Sequence, residues 1–314
     1  MNYENFINEI TEIVREKVED GFKVHLNHVL KNNGIELDAL VIRKDEQEIS
    51  PNIYLEYYYN RFCEGVSMDE IADEIFSFYL QTMKQQHLPE ENLHLDFQFS
   101  KNKIFYQVVH YEKNKKLLED IPHVLYLDLA IIFRCFVSED ENGMQSYCIN
   151  NKILEYWGIS QSELYKIASQ NTPVLFPPKI SSMQNVLEHV WDIDMEKKTE
   201  EIGEENYDDF LKKELRILDN PDEMQMYVIT NQKGVNGAGA FLYPDLLWRF
   251  SKKCESNLFL LPSSIHEFIV LPENNYNKEE LEEMVRNVND TQVAADEFLS
   301  NRVYYFDRAV RQIV

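Results

Sequence analysis

NLFLLPSSIHEFIVLP (residues 257–272) holds two apolar runs, NLFLLP and HEFIVLP, split by a Pro-Ser-Ser corner. Strand-length apolar runs joined by turn formers read as a β-hairpin. The same stretch carries Ser263, Ser264, His266 and Glu267, the residue types of a nucleophile, base and acid relay. Residues two apart on a strand share a face but stand about 7 Å apart, so Ser264 would have to bend to reach His266. A serine nucleophile also sits on an exposed elbow beside oxyanion donors, and no GxSxG is present. The hairpin is the better reading, with the hydroxyls bonding local backbone groups.

Working outward, MQMYVIT (224–230) reads as a strand and LYPDLLWRFSKKC (242–254) as a helix. A helix over 276–289 and a strand over 301–310 follow the hairpin, so the order is β-α-β-β-α. The middle of the chain repeats it. KIFYQVV (103–109) is a strand, 111–121 a short helix, PHVLYLDLAIIFRCFV (122–137) one long strand, and ENG (141–143) a turn into SYCIN (146–150). Helices over 151–158 and 160–171 close that unit, the second opened by the capping box of Ser160 and Glu163. NTPVLFPPK (171–179) reads as a proline-broken loop, and the charged run 192–223 as an acidic connector.

Ahead of these units stand a helix over 3–19, a hairpin turning on KNNG (31–34), and two helices over 49–65 and 67–83. Ser50-Pro51 opens the first of the two helices and the Ser67/Glu70 capping box the second. The fold class expected is α+β, mixing helices with mainly antiparallel sheets: an N-terminal region over 1–95, a central unit over 96–191, the connector, and a C-terminal unit over 224–314.

The 314 residues are 44% apolar and 12% aromatic, ample for a buried core, and carry a net charge of −24. An acid excess of 55 over 31 disfavours nucleic acid and anionic membranes as partners. No run approaches the roughly 20 apolar residues of a membrane span, and the acidic start lacks the basic and apolar regions of a secretory signal. Cys63, Cys135, Cys148 and Cys254 show no CxxC spacing, so neither a zinc ribbon nor a thioredoxin motif is indicated. A cytoplasmic location is expected. His25 and His28 point to opposite faces of one strand, and no metal set is expected.

GVNGAG (234–239) follows a strand and precedes a helix, a context suited to phosphate, but it fits neither GxxxxGK[ST] nor GxGxxG. No cofactor is indicated. Thr230, Asn231, Lys233 and Asn236 are the polar groups that would line a pocket there. Asp128, inside an apolar run, is the most unusual carboxylate: if buried it needs a partner such as Arg134, and a strand end or bulge would instead expose it. Several segments together, ISPNIYLEYYY (49–59), IPHVLYLDLAIIF (121–133), LEYWGISQSELYKIASQNTP (154–173), VITNQKGVNGAGAFLYP (228–244) and LPSSIHE (261–267), resemble a bacterial family of unknown function typical of Gram-positive gut anaerobes. More loosely, the 128–171 stretch and the 258–267 hairpin are similar to a second such family. Neither resemblance implies an activity.

A well-made core without a complete catalytic motif favours a non-enzymatic protein that binds a protein partner or a small polar ligand. The alternative is a hydrolase or nucleotide-modifying enzyme using His266 and Glu267, with Ser264, beside residues 231–239. That alternative requires those segments to meet.

Overall fold

A computed structural model describes residues 1–18, 21–44, 50–85, 96–140, 143–191, 206–221, 225–273 and 276–314. The chain divides into two compact units, Met1–Asp96 and Phe97–Val314.

In the first unit, α1 (Tyr3–Lys17) starts at Asn2, whose side chain accepts the Asn5 N–H, and buries Phe6, Ile7, Ile10 and Val14 along one stripe. Strands β1 (Phe22–Leu30) and β2 (Glu36–Lys44) pair over their full lengths. Asn33 and Gly34 both take positive φ in the tight turn between them. A short β3 (Ile53–Tyr54) adds to β2, and only then does α2 (Leu55–Cys63) begin. The helix expected from Ser50-Pro51 therefore starts later, because the Ser50 hydroxyl donates to the Ile42 carbonyl and ties this stretch to the sheet. In α3 (Met68–Gln85) the capping box forms as expected: Glu70 N–H donates to Ser67 Oγ, and Ser67 N–H to Glu70 Oε2.

The second unit opens with the single turn α4 (Phe97–Ser100), β4 (Ile104–His110) and the short α5 (Lys115–Leu118). β5 (His123–Tyr126), β6 (Leu129–Asp140) and β7 (Gly143–Cys148) follow, then α6 (Asn151–Trp157) and α7 (Gln161–Leu175). β8 (Pro178–Ser182), α8 (Met183–Trp191), α9 (Tyr207–Glu214), β9 (Tyr227–Asn231) and α10 (Leu246–Lys253) lead into the opening hairpin, β10 (Leu258–Ser264) and β11 (Glu267–Pro272). The chain ends with α11 (Lys278–Thr291), β12 (Tyr304–Asp307) and β13 (Gln312–Ile313).

The strands form two antiparallel sheets. In one, β6 pairs with β4 on one edge and with β5 and β7 on the other; the second runs β13-β12-β10-β11-β9-β8. In each sheet the first strand of the β-α-β-β run pairs with the last, β4 with β6 and β9 with β11. The start of β6 and most of β10 bury both faces. Leu129, Ile131 and Phe133 face the same core as Leu258, Leu260 and Phe268, while Ala130 and Ile132 pack with Leu118 of α5. Phe259 and Leu261 pack with Leu281 and Val285 of α11. Burial on both sides is why LAIIF and LFLL read as unbroken apolar runs.

Four expectations change. The run 122–137 is two strands, turned at Leu127 (φ 57°) and Asp128. Pro173 lies inside α7, whose adjoining Asn171 and Thr172 cover the outer edge of β4: Thr172 Oγ1 accepts the Tyr106 N–H at 3.0 Å and Asn171 Nδ2 donates to the Ile104 carbonyl. The two halves of this unit are not separated at 192–223, since β8 pairs with β9 across that span. The described part of the connector is core: Leu211, Leu215 and Leu218 are buried there, and residues 192–205 and 222–224 lie outside the described residues. Cys135 stands opposite Tyr147 and Cys148 opposite Arg134, so the two thiols point to opposite faces of the sheet.

Candidate functional site

The corner between β10 and β11 is where the sequence places its chemistry, and the structure does bring those residues together. A bulge shifts the register between Pro262 and Ser264. There Ser264 Oγ accepts the His266 backbone N–H at 3.0 Å, and the Ser263 hydroxyl donates to Glu267 Oε1 at 3.3 Å. The 231–238 loop docks on this corner. Thr230 Oγ1 donates to the His266 carbonyl at 2.7 Å, Asn236 N–H to His266 Nδ1 at 3.0 Å, and Ala238 N–H to the Ile265 carbonyl at 3.1 Å. Gly237 is pressed so close that a Cβ would lie 2.1 Å from Thr230 Oγ1 and 2.6 Å from the His266 carbonyl oxygen. Its missing side chain permits the close approach, the packing role expected of these glycines.

The other candidates are committed in the same way. Asn231 Oδ1 accepts the Lys233 N–H and its Nδ2 donates to the Val235 carbonyl, which shapes the loop from inside. The Lys233 ammonium pairs with Glu139. With Nδ1 accepting, a neutral His266 carries its proton on Nε2, which faces Glu297 Oε1 at 3.4 Å. Neither serine hydroxyl bonds to the imidazole, so no serine–histidine relay is formed. The segments meet, as an enzymatic reading requires, but their polar atoms bond mainly to one another.

Asp128 belongs to a second cluster that the sequence did not reveal as one. It is half-buried at the β5–β6 turn, and it accepts from the Ser300 hydroxyl at 2.6 Å and from the Tyr304 hydroxyl at 2.8 Å. Arg134 is not its partner, donating instead to Ser146. Ser300 and Tyr304 are fully buried, and burial, then the Asp128 charge, push the Tyr304 hydroxyl well above the ordinary tyrosine range. Nearby, burial lowers the pKa of His110, whose Nδ1 accepts the Lys113 N–H. The two hydrogen bonds from Ser300 and Tyr304 to Asp128 join the two halves of the unit. This cluster holds the fold together.

A different arrangement surrounds a cleft of about 580 Å³. One wall runs from the 3₁₀ turn Gly237–Leu242 into the start of α10; the other is the β12–β13 hairpin, with Tyr126 of β5 between. Phe241, Trp248 and Phe306 supply apolar surface, and Asp245 and Arg311 supply charge. The walls are fixed from behind: Tyr243 OH donates to the Phe176 carbonyl at 2.6 Å and Tyr207 OH to the Pro244 carbonyl at 2.8 Å. Asp307 Oδ1 accepts the Ala309 and Val310 N–H groups and so sets the turn that delivers Arg311. Asp245 and Arg311 both hold left-handed backbone, with φ of 57° and 56°. For non-glycine residues such conformations cost about 1–3 kcal/mol each and concentrate at binding sites.

Arg311 lies over the Trp248 ring, 4.0 Å from its centroid, and the Lys252 ammonium lies 5.3 Å from it. Neither cation forms an ion pair with a described residue, whereas neighbouring Arg249 and Lys253 are neutralised by Asp208 and Asp219. A second groove, about 490 Å³ beside α7, is lined by Tyr165, Pro173, Val174 and Tyr207 and is nearly free of polar surface. Sequence reasoning missed the 580 Å³ cleft because its walls come from three remote segments without a motif. The one available signal is local: Arg249, Lys252, Lys253, Arg308 and Arg311 reverse the charge of an acidic chain.

Among the described residues, no helix is long and apolar enough to cross a membrane, and no group of three or more His, Cys, Asp or Glu is placed to hold a metal. No curated protein and no solved structure matches the chain. A family model does match, over residues 3–308, and this chain belongs to that family, the family of unknown function DUF5688.

Proposed function

We propose that this chain is a non-enzymatic binding protein that takes a small polar ligand in the cleft between α10 and the β12–β13 hairpin. One observation carries the reading. In a chain of net charge −24, two cations on one indole ring beside a half-polar, half-apolar cleft are left without a described acid partner. Ligand sites are typically concave, with aromatic and apolar surface and a few placed polar groups, and this cleft combines Phe241, Trp248 and Phe306 with Asp245 and Arg311. The His266 corner supports the non-enzymatic side of the proposal, since its candidate acid–base groups are bonded within the fold. The reading extends to a cytoplasmic setting away from nucleic acid and anionic membranes: an extended polyanion would meet the whole negative field, while one small ligand meets a local cation.

The test is native mass spectrometry of protein purified gently from a bacterial cytoplasm, compared with Gln312→Trp. Gln312 is exposed on β13 and lines the cleft, so an indole there fills it without disturbing the core. A bound small molecule on the wild type and none on the variant is the expected result. Bare protein in both, or equal occupancy in both, would remove the cleft as the site.

A further inference from the structure

Resting on that reading of the cleft, we infer that its ligand is a small planar anion, a flat ring system carrying one carboxylate or phosphate group, with the Arg311 guanidinium as the anchor for the acid group. The guanidinium is planar, always charged, and presents a fork of N–H donors along its edge. Its central carbon lies over the Trp248 ring, 4.0 Å from the centroid, and a guanidinium stacked on an indole keeps its edge donors for a bidentate pair with an acid group. Holding the guanidinium before the ligand arrives lowers the entropy cost of that pair.

The remainder of the cleft fits a flat body. Tyr126 and Phe241 lie with ring centroids 5.9 Å apart at 60°, and Trp248 and Phe306 complete an aromatic lining. A volume of about 580 Å³ lies within the usual range for drug-sized ligands, roughly 300–1,000 Å³. Asp245 narrows the choice further. Its carboxylate lines the same cleft and makes no side-chain hydrogen bond at the start of α10. A ligand with one acid group places it at Arg311 and turns a neutral or donor edge toward Asp245, whereas a second acid group would meet repulsion.

The experiment is isothermal titration calorimetry of the full chain with two matched pairs: phenylacetate against phenylacetamide, and adenosine monophosphate against adenosine. In each pair only the acid group changes. Wild type is expected to bind the acid member of at least one pair tenfold or more tighter than its neutral partner, and which pair it is separates carboxylate from phosphate. Arg311→Gln removes that preference with the unfolding midpoint unchanged. Arg311→Lys recovers only part of it, because an ammonium supplies charge without the fork. Equal binding of acid and neutral members by wild type, an acid preference that survives in Arg311→Gln, or no binding of any of the four compounds overturns the inference. If the neutral members bind as well as the acids and Gln312→Trp blocks both, the anion inference falls while the cleft remains the site; if native mass spectrometry finds no cleft-dependent ligand, both fall.

Discussion

The His266 corner and the Arg311 cleft lie at opposite ends of one short 3₁₀ turn. Gly237 and Ala238, at its start, are locked onto the β10–β11 corner; Phe241 and Leu242, at its end, line the cleft. The corner is dense in the residue types of catalysis, and nearly all of their polar atoms are bonded to each other. The cleft mixes polar and apolar surface, and its two charged residues, Asp245 and Arg311, form no ion pair with a described residue. On the proposed reading, a count of reactive residue types points to the end of the turn away from the ligand. On that same reading, what marks the binding surface is a charged group that the fold holds in place but leaves exposed and without an ion-pair partner among the described residues.

The largest expected effect comes from breaking the lock. Gly237→Ala drives a Cβ into Thr230 Oγ1 and two backbone atoms, with no positive φ to add strain, and should destabilise the second unit by about 3 kcal/mol in denaturant unfolding. An unchanged midpoint would mean that the loop is free to move and the corner is not rigid. Next, Asp128→Ala leaves the buried Ser300 and Tyr304 hydroxyls without their acceptor, which should cost about 2 kcal/mol. Asp128→Asn keeps one carbonyl acceptor and should recover part of the loss.

His266→Ala removes the acceptor of the Asn236 N–H, a loss of about 1 kcal/mol, and should leave binding at the cleft within twofold of wild type. If binding fell with stability unchanged, the comparison would invert and the corner would be the site.

The smallest effect is the pH response of His110. Burial holds its folded pKa below the ordinary value of 6.5. On acidification the unfolded chain takes up the proton first, so the contribution is complete above 6.5 and declines as pH falls from there to the lower folded value. His110→Asn, which keeps an acceptor for the Lys113 N–H, should therefore lose less stability than wild type between about pH 7.5 and pH 5.5. Parallel losses in the two proteins would show that the imidazole is not protected from protons.

Much of the fold is legible in the residues, and the reasons differ from element to element. The 261–272 hairpin, the Asn-Asn-Gly turn and the capping boxes at Ser67 and Ser160 carry local signals, and local chemistry determines them. The β5–β6 turn does not. Leu127 takes positive φ with no glycine or asparagine there, and the apolar composition runs on from β5 into the doubly buried start of β6, so neither alternation nor turn composition marks the break. Leu211, Leu215 and Leu218 form a core stripe hidden among charges that only their neighbours in three dimensions reveal. All of the candidates at the corner could be named from sequence, because they sit in two short stretches. Trp248 and Arg311 are 63 residues apart and individually ordinary, and their contact exists only in the folded chain.

The most direct test of the cleft against the corner is fluorine NMR of protein labelled with 5-fluorotryptophan. Among the described side chains, Trp248 is the tryptophan that lines the cleft. On titration with phenylacetate or adenosine monophosphate, the Trp248 resonance should move while that of Trp157 stays, and the response should be the same in His266→Ala. A Trp248 resonance that does not respond, or a response that disappears in His266→Ala while the protein stays folded, would contradict the cleft as the binding site.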